Sequence, residues 1–166
     1  MEGKPVKESI SEYAELALPN DANGLGNLLG GKVMHLVDLA AAISAMRHAR
    51  RPVVTAAVDS LQFLHPVHIS DMIILRSSVN RVFRSSMEVG VKVETENLLT
   101  GTRVHTCSAY LTFVALDENR KATPIPAVIP ETEAEKRRYR EAGERRENRL
   151  ALRERLKLAE LENQER

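Results

Sequence analysis

Residues 31–46 form an apolar stretch with helical spacing and a single carboxylate, Asp38, in the middle. A helix that is apolar around most of its circumference is usually the buried helix of a domain. Burying an unpaired carboxylate is costly, so Asp38 either hydrogen-bonds a neighbouring loop or has a chemical role. Arg51 and Pro52 end the helix, because the residue before a proline avoids helical backbone angles.

Alternating apolar and polar positions predict strands on both sides of this helix in the chain. One strand precedes the helix and four follow it: residues 9–18, 53–63, 72–84, 87–94 and 104–116. No helix separates the last four strands, so they are most simply antiparallel. The pattern predicts an α+β fold in which one curved sheet wraps around the central helix. The outer face of that sheet would meet solvent or a partner subunit.

The C-terminal part of the chain has a different character. Proline-rich residues 123–130 are extended, and they divide a domain of residues 1–130 from a charged tail of residues 131–166. Glu and Arg or Lys three or four positions apart favour a solvated helix in this tail. The pattern favours a frayed helix without a specific role. The more specific alternatives are that the tail contacts another subunit or forms a basic edge that meets a ligand's phosphates.

Composition narrows the class of protein. The 166 residues carry a formal net charge of +1 and only 4% aromatic residues, which argues against a nucleic acid or a membrane surface as partner. The N-terminus has no apolar signal core, and no stretch is long and apolar enough to span a bilayer. A single cysteine, Cys107, fits a reducing compartment, so we expect a cytoplasmic protein.

The glycines before the helix could bind an anionic or polarised group. Gly26 to Lys32 has the spacing of a phosphate-binding loop, but Val33 lacks the hydroxyl that such a loop needs for Mg²⁺. Nucleotide hydrolysis is therefore disfavoured. The free N–H groups of Gly30 and Gly31 at a helix start could still polarise a carbonyl, or the pair could be a simple tight turn.

Two further polar residues near Asp38 have both a structural and a chemical interpretation. Asn23 can donate to a carbonyl or hold a water molecule, and it is equally a frequent turn residue before a glycine. His35 shares a helix face with Asp38, but a packed histidine is the more frequent case. The five histidines show no metal-ligand spacing, so no metal or other cofactor is expected.

The loop and helix together resemble the signature of the hotdog-fold acyl-CoA thioesterases. That signature reads Asp-x-Asn-x-x-Gly-x-x-x-Gly-Gly, with a further Asp seven residues on. It is matched here by Asp21, Asn23, Gly26, Gly30, Gly31 and Asp38. Residues 54–55, 63–67, 84–89 and 128–139 agree as well, and the last of these segments is similar to the cytosolic, brain-type acyl-CoA hydrolases and their bacterial relatives. The resemblance covers residues 10–147, and residues from 149 onward match nothing.

The resemblance implies a hotdog fold, dimers whose sheets join edge to edge, and hexamers built from three dimers. Asp38 would be the general base or nucleophile that acts on an acyl-CoA thioester, and Asn23 of the facing subunit would orient water or substrate. Gly31 would polarise the carbonyl, and Thr55 would help to place the water. We expect CoA, as part of the substrate, to contact Gly30, Arg84, Ser85 and Ser86, because arginine and hydroxyl groups suit phosphates.

Two other functions on this fold remain open from the sequence. A non-enzymatic acyl-CoA-binding regulator would explain a pocket but not the presence of both Asn23 and Asp38. A hotdog dehydratase usually pairs an acidic residue with a histidine at other positions. Release of a free thiol from a saturated acyl-CoA distinguishes a thioesterase from both.

Overall fold

The computed structural model describes residues 1–164, which form seven strands and two long helices. The predicted central helix and all five predicted strands are present at nearly the expected bounds. In chain order the elements are β1 (Lys4–Pro5), β2 (Ser11–Leu16), α1 (Gly30–Ala49), β3 (Val53–Phe63), β4 (Met72–Phe83), β5 (Ser86–Glu96), β6 (Arg103–Ala115), β7 (Val128–Ile129) and α2 (Glu133–Gln164).

The main sheet has the strand order β2-β4-β5-β6-β3, and every neighbouring pair is antiparallel. The short strands β1 and β7 pair in parallel as a separate ladder. In the main sheet β3 is an edge strand of 11 residues, and most of its side chains are exposed. An edge of this length presents a row of unpaired N–H and C=O groups to a partner strand. This is the predicted α+β hotdog arrangement.

Helix α1 lies on the inner face of the sheet and supplies much of the core. Small and branched residues such as Val37, Ala41 and Ala45 are fully buried against the apolar inner positions of the strands. Within the single chain the sheet covers one face of this helix and leaves the other open. Leu39 and Met46, on the opposite side of α1 from Ala41, are 40% and 45% exposed, because the sheet covers only one face. That face requires a further covering surface.

Helix α2 packs across the outer face of the sheet, so the interpretation of the tail as a frayed, solvated helix is wrong for its first half. Ala142 is fully buried, and the Arg145 guanidinium makes a two-pronged ion pair with Glu88 of β5. Arg149 then contacts Asp59 of β3 through Nη1, at 2.6 Å from Oδ1. The helix thus crosses the sheet from β4 to the edge strand β3. Within residues 1–164, neither long helix is apolar enough over a sufficient length to cross a lipid bilayer.

Candidate active site

Asp38 and Thr55 form one polar pair between α1 and β3. The Thr55 hydroxyl donates a hydrogen bond of 2.7 Å to Asp38 Oδ1. Asp38 is half-buried rather than buried, since it lies at the border between the covered and the open face of α1. Within residues 1–164, no hydrogen bond engages its second oxygen, Oδ2. Thr55 therefore holds one carboxylate oxygen, and the other makes no hydrogen bond in the described part of the chain.

Asn23 shapes the loop that leads into α1. Its Oδ1 accepts hydrogen bonds from the backbone N–H groups of Leu25 and Asn27, at 2.9 and 3.1 Å. This is the turn role that the sequence allows, and within residues 1–164 the side-chain nitrogen Nδ2 makes no hydrogen bond. Asn23 also lines a surface hollow of about 340 Å³ together with Gly30, Phe63 and Pro66.

Charged contacts fasten the same loop to the sheet. Lys32 Nζ lies 3.2 Å from Glu15 Oε1 and 3.5 Å from Asp21 Oδ2. The hydrogen bond to Glu15 raises the pKa of Lys32 above its ordinary value. The hydroxyl of Tyr13, which donates to Glu15 at 2.6 Å, lowers the pKa of that carboxyl, and Lys32 adds to the effect. Asp21 of the signature thus has a structural role, in which it positions the start of α1.

Gly30 and Gly31 occupy the first turn of α1, where backbone N–H groups have no acceptor within the helix. A side chain at Gly30 would meet the Phe63 ring at about 3.5 Å, so the glycine lets this ring lie against the helix start. Gly31 is exposed and has open space where a side chain would be. A carbonyl group can therefore approach the N–H of Gly31 along the helix axis, where the helix dipole favours negative charge.

The two halves of the predicted site are separate within one chain. Asp38 is eight residues beyond Gly30 in α1, which corresponds to about 12 Å along the helix axis. No hydrogen bond joins Asn23 to Asp38 in the described part of the chain. The chain by itself pairs Asp38 with Thr55, and it groups Asn23 with Gly30 in the hollow at the helix start.

The residues predicted to contact CoA also lie in two separate places within one chain. Arg84, Ser85 and Ser86 form the β4–β5 turn and the start of β5, where Arg84 is exposed and has a φ of 63°. Ser86 and Val54 both pair with Val114 of β6, so this turn lies at the same end of the sheet as Thr55. Gly30 lies instead beside the far end of β3.

Phe63 is the residue of this region to which the sequence assigned no role. It ends β3, is half-exposed, and lies over Gly30 beside the hollow that contains Asn23. Residues 63–67 are among the segments that carry the family resemblance, and this is the sequence feature that could have pointed to a role for Phe63. The ring forms an apolar wall next to the free N–H groups of the helix start.

The family model described as "Thioesterase superfamily" matches residues 25–102. The chain is 49% identical over 129 residues to an uncharacterized acyl-CoA thioester hydrolase, YkhA, of Bacillus subtilis, an alignment that covers 78% of this chain and 75% of that one. It is 33% identical over 142 residues to the cytosolic acyl coenzyme A thioester hydrolase of Rattus norvegicus, but spans only 37% of that longer protein.

Solved structures give the same result. An apo-hexameric acyl-CoA thioesterase superposes with a TM-score of 0.88 at 44% identity, with 91% of this chain and 97% of that chain covered. The acyl-CoA hydrolase of Staphylococcus aureus, solved with butyryl coenzyme A, coenzyme A and coenzyme A disulfide, superposes with a TM-score of 0.87 at 36% identity, over 94% and 95% of the two chains. That enzyme has also been solved with an aspartate, a threonine and an asparagine each replaced by alanine. The chain belongs to the thioesterase superfamily, in the family of acyl-CoA thioester hydrolases.

Proposed function

We propose that the protein is an acyl-CoA hydrolase whose active sites each combine residues of two subunits. Its relatives of similar length are named acyl-CoA thioester hydrolases or acyl-CoA thioesterases, and one of them binds butyryl coenzyme A. In our proposal Asp38 and Thr55 of one subunit face Asn23 and Gly31 of the other. The reaction converts an acyl-CoA and water into a free carboxylic acid and CoA.

The position of the two half-sites along the free edge strand is the observation that carries this proposal. Thr55, with Asp38 bound to it, lies near the beginning of β3, and Phe63, with the Asn23 hollow, lies at its end. When two identical strands pair antiparallel about a twofold axis, the beginning of one lies beside the end of the other. Pairing through β3 therefore brings Asp38 of one copy toward Asn23 of its partner.

The variants of the Staphylococcus aureus enzyme support the choice of residues. Its replaced asparagine, aspartate and threonine are separated by 15 and 17 positions in chain order. Asn23, Asp38 and Thr55 have the same separations here. Asp38 and Thr55 also make the hydrogen bond that a shared role in positioning a nucleophile requires.

In the proposed reaction the thioester carbonyl oxygen accepts a hydrogen bond from the N–H of Gly31, which stabilises the negative charge that develops during attack. Asn23 beside it orients the water or the thioester. Asp38 uses its free oxygen Oδ2 in one of two ways. It takes a proton from the attacking water, or it attacks the carbonyl carbon itself and forms an anhydride that water then opens. In either route the bond between the carbonyl carbon and sulfur breaks, and CoA leaves as the thiolate, which takes up a proton. Thr55 holds the other oxygen.

The CoA part of the substrate extends to Gly30 and to the turn of Arg84, Ser85 and Ser86 in this proposal. The guanidinium of Arg84 is exposed and suited to a phosphate, and the two serines beside it supply hydroxyl groups. Because the turn shares an end of the sheet with Thr55, it belongs to the half-site that contains Asp38.

The open face of α1 favours an assembly larger than the single chain. The apolar side chains of Leu39 and Met46 are exposed on that face, by 40% and 45%. We propose a trimer of such dimers, since three of the relatives are described as hexameric. We also propose the cytoplasm as the place of action, because the relative from Rattus norvegicus is named a cytosolic enzyme.

Mixed dimers test the composite site. Asn23→Ala and Asp38→Asn chains carrying different affinity tags are produced together, and the mixed species is isolated through both tags. If the two residues act across subunits, each mixed dimer contains one doubly defective site and one intact site. It then recovers about half of the wild-type thiol release, whereas each parent variant is defective. A mixed dimer as inactive as its parents would contradict the proposal.

A further inference from the structure

Residues 150–161, in the second half of α2, pack against no other element among the described residues. Up to Arg149 the helix lies on the sheet, but every described side chain from residue 150 to residue 161 is exposed. The 15 helical residues from 150 to 164 extend about 22 Å beyond Arg149. Because Arg149 binds Asp59 of the edge strand β3, this extension leaves the sheet at its free edge and continues past it.

The extension continues the side of the helix that faces the sheet. At 3.6 residues per turn, Leu152 and Leu156 follow Arg145 and Arg149 on the same helix face. Both leucines are exposed, by 46% and 55%, although the preceding residues of that face are packed. Among the described residues, the hollow beneath this face is lined by side chains of α2 alone: Arg149, Leu152, Arg153, Leu156, Lys157 and Glu160. The α2 side of the hollow is therefore formed by the chain, and the side opposite α2 is open to solvent. We call this open side the missing wall.

We infer that this missing wall is the outer sheet face of a second copy of the chain, joined through β3. The inference rests on the antiparallel β3 pairing proposed above. Such pairing extends the sheet beyond Asp59, in the direction in which α2 continues. Residues 150–161 of each copy then lie over the sheet of its partner, with Leu152 and Leu156 toward it. The extension is an intersubunit arm, and by symmetry each dimer has two.

A second copy is the occupant that best fits these observations. The arm begins at the strand through which the chain pairs, so arm and strand edge form one continuous surface. A pair of leucines directed at a sheet also matches the way in which the first half of α2 uses Ala142. Over residues 150–161 the arm carries three basic and two acidic residues, and a net charge of only +1 gives no strong electrostatic reason for an anionic partner.

Charge substitutions on opposite sides of the arm test the inference in the full chain. The Leu152→Glu/Leu156→Glu variant places carboxylates on the sheet-facing side, and the matched Leu158→Glu/Leu161→Glu control places them on the opposite side. We expect the first to raise the subunit dissociation constant at least about tenfold in sedimentation measurements, and the control to leave it nearly unchanged. Circular dichroism reports whether each variant keeps its helix.

A nitroxide label gives a second measurement that does not depend on destabilising the assembly. Cys107 is buried, so a label reacts with Leu156→Cys or, as control, Leu158→Cys. We expect an immobilised spectrum at residue 156 and a mobile one at residue 158. Unchanged dissociation constants with equal label mobility, in a chain that still forms dimers through β3, would overturn the arm and leave the composite site intact. A wild-type chain that remains monomeric would overturn both.

Discussion

Thr55 Oγ1 lies 2.7 Å from Asp38 Oδ1, and this hydrogen bond joins the edge strand β3 to the middle of the central helix. The carboxylate thereby acquires a fixed direction although it is only half-buried. Fixing the orientation of a catalytic group in advance is one of the main ways in which a protein lowers a reaction barrier. The same bond also connects the proposed catalytic carboxylate with the strand through which we propose that two subunits pair.

Replacing Thr55 should impair turnover more than substrate binding. Thr55→Val keeps the shape of the side chain but removes the donor to Asp38, so we expect kcat to fall about tenfold with little change in KM. Thr55→Ser, which keeps the hydroxyl, is the matched control and should retain most of the activity. Steady-state thiol release measures both parameters. Equal activity of the valine and serine variants would show that the bond has no part in catalysis.

Arg84 should contribute to binding of CoA rather than to the chemical step. Arg84→Asn tolerates the left-handed backbone of this position and removes the cation, so KM for acyl-CoA should rise about tenfold at similar kcat. Arg120 is an exposed arginine with a similar φ of 58°. Arg120→Asn therefore controls for the loss of one surface charge and for the change of residue at a left-handed backbone position. The assignment fails if the two variants have the same KM.

The ion pair between Arg145 and Glu88 should be essential for docking of α2. Glu88 is almost fully buried, and Arg145 donates to both of its carboxylate oxygens, at 3.0 and 2.7 Å. Arg145→Met leaves this buried charge without its partner, which typically costs about 3–5 kcal/mol. Urea unfolding at a fixed chain concentration should show this loss, and Arg140→Met on the exposed side of α2 should not. Adding Glu88→Met to Arg145→Met should restore part of the stability.

His48 should make the folded chain sensitive to mild acid. Burial lowers the pKa of this histidine below its ordinary value, and the ammonium of Lys4 acts in the same direction, while the bond to Pro126 and the charge of Glu8 oppose them. The unfolded chain therefore binds a proton at a higher pH than the folded one. This contribution to stability is complete above about pH 6.5 and is lost as the pH falls below it.

His48→Gln isolates this effect, because glutamine can donate to the Pro126 carbonyl but does not titrate. Urea unfolding between about pH 7.5 and pH 5 should show a steeper loss of stability in the wild type, by at most about 1.4 kcal/mol per pH unit. Glu15 and Glu94 have lowered pKa values, so they act at lower pH and equally in both proteins. Parallel pH profiles would contradict the role of His48.

The sequence predicted the elements around the site because their signals are local. The apolar run around Asp38 marks α1, and regular alternation marks strands such as β4. It did not predict the docking of α2 on the sheet, because that contact is made by charged residues, which usually indicate a solvent-exposed surface. Arg145 and Glu88 are more than 50 positions apart in the chain, and each reads as a surface charge until the fold brings them together.

The exposure of Asp38 was also misjudged from the sequence. Its helix is apolar on two faces, and the pattern cannot distinguish a face covered by the chain's own sheet from one left for a partner. Asn23 was predicted with two roles, and the structure has the turn role within the chain. The catalytic role that we propose for it depends on a second subunit, which no local pattern describes.

The most direct test of the whole account is free-thiol release from saturated acyl-CoAs of short to long chain, with the wild type beside Asp38→Asn. We expect release by the wild type and a loss of about 10²–10⁴ in kcat for the variant, with unchanged circular dichroism and assembly. An Asp38→Asn variant within about threefold of wild-type activity would contradict the assignment of Asp38 to the chemical step.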